Sequence, residues 1–205
     1  MQTFLPYSNF IKSALTLDHY NAGKYSRCWK QVVEAKQILC TLHANELPKE
    51  WKLSKDWIYQ KRINHPGVQM WKGYENWLIS YYNIFLQVCK CKHKINTNLP
   101  FLNGGILTVI DYNDLDRPVI VKREIPMCKY HGINKQNKRI YDNTVAPFWL
   151  GNENFHRSHR AKLIEKCKHF YLSKFPDDEG FNNSQYLWPD LKSKTFKTII
   201  KTNKI

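Results

Sequence analysis

The chain has 205 residues, 42% of them hydrophobic and 14% aromatic, and a formal charge of +15 from 32 Lys and Arg against 17 Asp and Glu. That length and apolar content support one compact domain spanning 1–205, with a buried core, and exclude a disordered basic tail. The cationic surplus favours a polyanionic partner, because each contacted phosphate releases condensed counterions. No stretch approaches 18 uninterrupted apolar residues, and no charged-then-apolar leader opens the chain. The expectation is an intracellular, non-secreted monomer with no membrane contact. The six cysteines then read as reduced thiols and small core hydrophobes.

Taken in chain order, Ser8 is a plausible cap for a short helix through Asp18. The segment from Arg27 to about Leu42 reads as an amphipathic helix. Residues three, four and seven apart share a face, which groups Arg27, Lys30, Gln31 and Glu34 opposite Cys28, Val32, Ala35 and Leu39. Glu34 is the one carboxylate of an otherwise cationic face. Residues 44–64 read as a loop containing Pro48. Pro66 suits the first position of a long helix in which Trp71, Tyr74, Trp77, Leu78, Tyr81, Phe85 and Val88 recur at three- and four-residue steps.

Ile106–Ile110 and Pro118–Lys122 are β-branched runs that predict a small hairpin inserted between 104 and 143. A helix is expected from about Glu153 to Lys174, with Phe155, Leu163, Cys167, Phe170 and Tyr171 on its apolar face. An acidic turn, the run Tyr186-Leu-Trp-Pro189 and a basic, mobile tail from 191 to 205 close the chain. The fold class that emerges is mainly α: a single-domain helical bundle carrying one small β-hairpin.

The motifs of common enzyme classes are absent: no P-loop, no Gly-x-Gly-x-x-Gly, no nucleophile elbow, no His-Glu-x-x-His. A metal site is not expected, since Cys89-Lys-Cys91 leaves one residue between ligands where zinc sites use two to four, and no cofactor is implied. The run Phe155-His156-Arg157-Ser158-His159-Arg160 is dense in donors, and His156, His159 and Arg160 share a face that could grip phosphates. His65, just before Pro66, is either an anion contact at a helix N-terminus or a cap.

Three blocks then carry a resemblance. The first is Gln2-Thr-Phe-Leu-Pro-Tyr7 with Leu17-Asp18 and Arg27, Lys30-Gln31, Val33-Glu34 and Gln37-Ile38-Leu39. The second is Asn64-His65-Pro66, Val68, Met70-Trp71 and Gly73-Tyr74-Glu75. The third is Pro147-Phe-Trp-Leu-Gly151, Phe155-His156, Ser158-His159-Arg160, Leu163 and Lys166. Together, and in this order, they resemble the pyrimidine-dimer DNA glycosylase family.

The resemblance implies an all-α domain that excises ultraviolet-type pyrimidine dimers from duplex DNA. In such enzymes an N-terminal amine attacks the sugar, the base leaves, and the resulting imine permits strand cleavage as an AP lyase. It implies that Glu34 assists base release. Gln2 is too long a side chain for ready removal of the initiator residue, so the expected nucleophile is the amine of Met1 itself. DNA contact falls to Arg27, Lys30, Gln31, His65, Trp71, His156, His159, Arg160 and Lys166. Residues 19–26 and 104–143 stand as additions to the pattern. The alternative is a non-catalytic, basic nucleic-acid-binding protein on the same scaffold. A composition rich in Lys, Asn and Ile is what an AT-rich genome, such as a viral one, would encode.

Overall fold

The computed structural model describes residues 2–18, 26–42, 47–53, 62–103, 109–110, 120–121 and 146–198. These residues form a mainly helical structure with small antiparallel sheets. Helix α1 (Phe10–Thr16) starts at Asn9 rather than Ser8: the Asn9 side chain accepts a hydrogen bond from the Lys12 amide at 3.0 Å. Helix α2 (Arg27–Leu42) buries Cys28, Val32, Ala35 and Leu39 completely, as its spacing predicts. Helix α3 (Lys49–Leu53) falls inside the stretch that the sequence assigns to a loop.

The long helix expected from Pro66 is two helices. Pro66 opens α4 (Pro66–Gln69), and the chain then turns through Gly73, whose φ of +82° is open to glycine without strain. Helix α5 (Glu75–Cys91) begins after that turn. Its residues Leu78, Tyr81, Tyr82, Phe85 and Val88 are fully buried, and α5 packs most extensively on α2, with α1 also against it. The thiols of Cys28 and Cys89 meet across that seam at 3.5 Å.

Strands β1 (Val109–Ile110) and β2 (Ile120–Val121) pair antiparallel, with Val109 opposite Val121. They lie where the inserted hairpin is expected; the remainder of 104–143 falls outside the described residues. Helix α6 (Glu153–Lys166) is capped by the Asn152 side chain and stops at Cys167, so the helix expected through Lys174 breaks into α6 and a further turn, α7 (Lys168–Tyr171). Strand β3 (Leu187–Asp190) pairs antiparallel with β4 (Thr195–Thr198), Leu187 opposite Thr198 and Asp190 opposite Thr195. The tail predicted to be mobile from 191 therefore first returns as a strand; residues 199–205 are outside the described set. Among the described residues no helix is long and apolar enough to cross a membrane.

Candidate active site

The site is organised by residues 2–6, an N-terminal segment outside helix and strand whose backbone groups are satisfied by side chains of several helices. The Gln2 amide donates to Glu34 Oε2 on α2 at 3.0 Å. The Phe4 amide donates to Gln31 Oε1 at 2.7 Å, while the Phe4 carbonyl accepts from the Tyr81 hydroxyl of α5 at 2.9 Å. The same hydroxyl lies 3.0 Å from Gln31 Oε1, so strand, α2 and α5 meet at one point. The Leu5 amide donates to Nδ1 of His159 at 3.2 Å, its carbonyl lies 2.7 Å from Nδ1 of His156, and the Pro6 carbonyl accepts from Arg160 at 2.9 Å. The side chain of Thr3 is buried and accepts from the Trp71 indole N–H at 3.0 Å.

This arrangement corrects several sequence expectations. Gln31, 1% exposed, faces the strand rather than solvent, although it follows Lys30 on the helix. Trp71 is fully buried, edge-on to Trp149 with centroids 4.8 Å apart, and is a core residue. The donor-rich face of α6 is turned inward. His156 is 2% exposed, and its two ring nitrogens lie against the carbonyls of Leu5 and Leu150. His159 is fully buried; burial, then the neighbouring His156, push its pKa well below the ordinary value. Arg160 is bound to Asp178 and Glu153 and to the Pro6 carbonyl. These three side chains are turned to the interior rather than to a surface where a phosphate could meet them.

The other cations gather at the open side of α2. Arg27 donates to Asp18 Oδ2 at 2.9 Å and to the Lys166 carbonyl at 3.2 Å, tying the start of α2 to the end of α6 while remaining partly exposed. Burial works against the charged form of Arg27, but the Asp18 contact outweighs it and the pKa rises. Lys30 and Lys166 are exposed. Burial lowers the Lys166 pKa first, and Lys162, Arg27 and Lys30 lower it further, so the four positive charges form one cluster. In the sequence Lys162 is masked by its i+3 partner, Glu165, with which it forms an ordinary helix-surface pair at 2.6 Å.

His65 resolves as a cap: its Nδ1 accepts from the Gly67 amide at 3.0 Å. It is half-buried, and burial lowers its pKa while Glu34 opposes that shift, which puts the imidazole within electrostatic range of the carboxylate. Its ring stands edge-on to Trp188 of β3 at 6.2 Å, and Trp188 contacts Tyr186 at 5.4 Å. Tyr186, just before β3, in turn packs on Phe4 at 6.0 Å. Met1 lies outside the described residues. Among the described residues no group of three or more His, Cys, Asp or Glu could hold a metal ion.

The model of one protein family, described as pyrimidine dimer DNA glycosylase, matches residues 1–101. Over those residues, just under half of the chain, it is similar to that family. Neither the curated proteins nor the solved structures include a match. The matched glycosylase segment contains the N-terminal strand, Glu34 and Gln31 of α2, the His65 cap, and α5 with Tyr81. The histidines and Arg160 that hold the other edge of the strand lie beyond it. The match supports a DNA substrate and a pyrimidine-dimer glycosylase role in general.

Proposed function

We propose that the chain excises pyrimidine dimers from duplex DNA by an N-terminal amine mechanism assisted by Glu34, and then cleaves the strand as an AP lyase. The observation that carries this reading is the 3.0 Å hydrogen bond from the Gln2 amide to Glu34 Oε2, one peptide unit from the chain's first residue. A general acid or base must reach its proton directly or through one water, and a carboxylate bonded to the Gln2 amide supports that role for Glu34.

An α-amine has a reference pKa of about 8, so a substantial neutral fraction is available as a nucleophile near neutral pH. The amine nitrogen forms a bond to C1′ of the damaged nucleotide. The glycosidic C1′–N bond breaks, and its electron pair leaves with the base, which takes up a proton. Glu34 stabilises positive charge developing on the sugar and relays the proton released by the attacking amine. Opening of the sugar ring leaves an imine between C1′ and the N-terminal nitrogen. Loss of a C2′ proton from that imine expels the 3′ phosphate by β-elimination.

Damaged bases stack poorly, which lowers the cost of exposing C1′ to these groups. Lys30, Lys162 and Lys166, with the exposed edge of Arg27, are the phosphate contacts assigned to this reaction. His65, within electrostatic range of Glu34, is the neighbouring imidazole in this reading.

Borohydride reduction during turnover on dimer-containing duplex tests the reading, because an imine is converted to a stable protein–DNA crosslink. The expected result is a crosslink at the first residue, lost when the amine is chemically blocked. Base release without any trapped adduct, or an undiminished adduct after blocking, removes the N-terminal nucleophile.

A further inference from the structure

Helix α6 presents two histidines, one turn apart, to a single residue of the N-terminal strand. The Leu5 amide donates to Nδ1 of His159 at 3.2 Å, and the Leu5 carbonyl lies 2.7 Å from Nδ1 of His156. The other nitrogen of His156 lies 2.6 Å from the carbonyl of Leu150. Carbonyl oxygens only accept, so a ring set between two of them donates from both nitrogens and carries both protons. His159 accepts through Nδ1, so its proton sits on Nε2 and the ring is neutral. Two residues of the same type are thus held in opposite hydrogen-bonding roles by one strand residue.

We propose that His156 and His159 act as a paired clamp, a cationic donor beside a neutral acceptor, that sets the register of the N-terminal strand against Glu34. The assignment of a catalytic consequence rests on the N-terminal amine reading above; the protonation pattern does not. Both rings are buried and neither touches substrate in this role, so they are positioning residues. The clamp has the form of a strand partner built from side chains, since it takes the amide and the carbonyl of the same residue, as a neighbouring strand does.

Register matters because the backbone groups of this segment are taken up residue by residue, at Gln2, Phe4 and Leu5. A slip of one residue would carry the Gln2 amide away from Glu34. From Leu5 to Gln2 the chain spans three residues, roughly 10 Å at about 3.3 Å each, with the intervening contacts made by Gln31 and Tyr81. Charge also separates the two roles. Burial and the neighbouring His156 both oppose protonation of His159, which keeps it an acceptor. The remaining groups against the pair are the rings of Phe4, Phe155 and Tyr186, with Arg160 engaged by Asp178 and Glu153.

Long-range proton–nitrogen NMR of the histidine rings in the wild-type protein near neutral pH tests the protonation pattern without any DNA. The expected result is His156 with both nitrogens protonated and His159 as the Nε2–H tautomer. A neutral His156, or a His159 proton on Nδ1, overturns the clamp.

The functional arm compares His159→Gln, which retains an acceptor, with His159→Leu, which does not. Displacement by about an ångström costs on the order of 100-fold in rate, so single-turnover base release is expected to fall about that far in His159→Leu. Affinity for dimer-containing duplex should be unchanged, and the Gln variant should recover most of the rate. Equal rates in the two variants, or a loss confined to affinity, overturn the positioning role. Inactivity of the wild type on dimer DNA would instead remove the proposed reaction and leave the NMR result to decide the clamp.

Discussion

Helices α2 and α6 carry similar stripes and put them to opposite uses. Arg27, Lys30 and Glu34 recur on α2 at three- and four-residue steps, as His156, His159 and Arg160 do on α6. On α2 the stripe remains open to solvent at Lys30 and partly open at Arg27 and Glu34; on α6 all three residues are buried. The difference does not lie in the helices. It lies in what approaches them. A buried segment outside helix and strand has amides and carbonyls to satisfy, and α6 supplies His159, His156 and Arg160 to Leu5 and Pro6. On α2 only Gln31 and Glu34 are drawn into that task, and the cations flanking them stay outside. Polar periodicity therefore reports that a face is polar, and not whether water or backbone satisfies it.

The largest expected effect tests the open stripe. Glu34→Gln retains an oxygen to accept the Gln2 amide, so the strand stays in place while the charge is lost. General acid–base catalysis is worth about 10²–10⁴-fold, and base release should fall by an amount in that range with duplex affinity nearly intact. Full activity in this variant would take Glu34 out of the mechanism.

Next in size is the support of the closed stripe. Asp178, 5% exposed, accepts from both Arg157, at 2.7 Å, and Arg160, and Asp178→Ala leaves Arg160 without its main buried counter-ion. Breaking a buried pair from one side costs about 3–5 kcal/mol, and urea denaturation should show a loss of that order. A loss below about 0.5 kcal/mol, the range of ordinary surface substitutions, would mean that the α6 stripe is not structural.

A smaller effect follows from His159. Burial and His156 hold its folded pKa below the ordinary value of 6.5, so the unfolded chain takes up the proton first. Its contribution to stability is complete above about pH 6.5 and is lost as the pH falls from there toward the depressed folded value. Urea midpoints measured on both sides of pH 6.5 should decline on the acid side, and His159→Gln should flatten that decline. An equal decline in both proteins would assign the acid sensitivity to other groups.

Much of the fold is legible in the sequence because α2 and α5 each bury one apolar stripe against the other, and such stripes survive in the residue pattern. Glu34 is legible for a related reason: a single carboxylate among cations is an exception to its own face. The break between α4 and α5 is hidden by the apolar steps that run through it, although Gly73 marks the turn. Strand β4 is hidden by composition, since Thr195, Lys197 and Thr198 are exposed and only Phe196 is partly covered. Tyr81 reads as one more core aromatic, and nothing in its spacing announces a hydroxyl that closes the Phe4–Gln31 junction. Asp178 sits in a turn that reads as merely acidic; its role depends on two arginines about twenty residues upstream, brought to it by the turn that follows α7.

The smallest effect is the most discriminating between the two stripes. Lys30 and Lys166 are exposed and share a cluster of like charge with Arg27 and Lys162. Replacing either with Ala removes repulsion as well as a cation, so folding stability should stay within about 0.5 kcal/mol of the wild type. If each contacts a phosphate, each substitution should reduce the slope of log affinity against log salt by about 0.9. Arg160→Ala makes the opposite prediction: it leaves buried Asp178 less well paired and destabilises the fold, yet leaves the salt slope of the remaining folded protein unchanged. A lowered slope for Arg160→Ala, with no change for Lys166→Ala, would return the α6 stripe to the DNA and take the cationic end of α2 away from it.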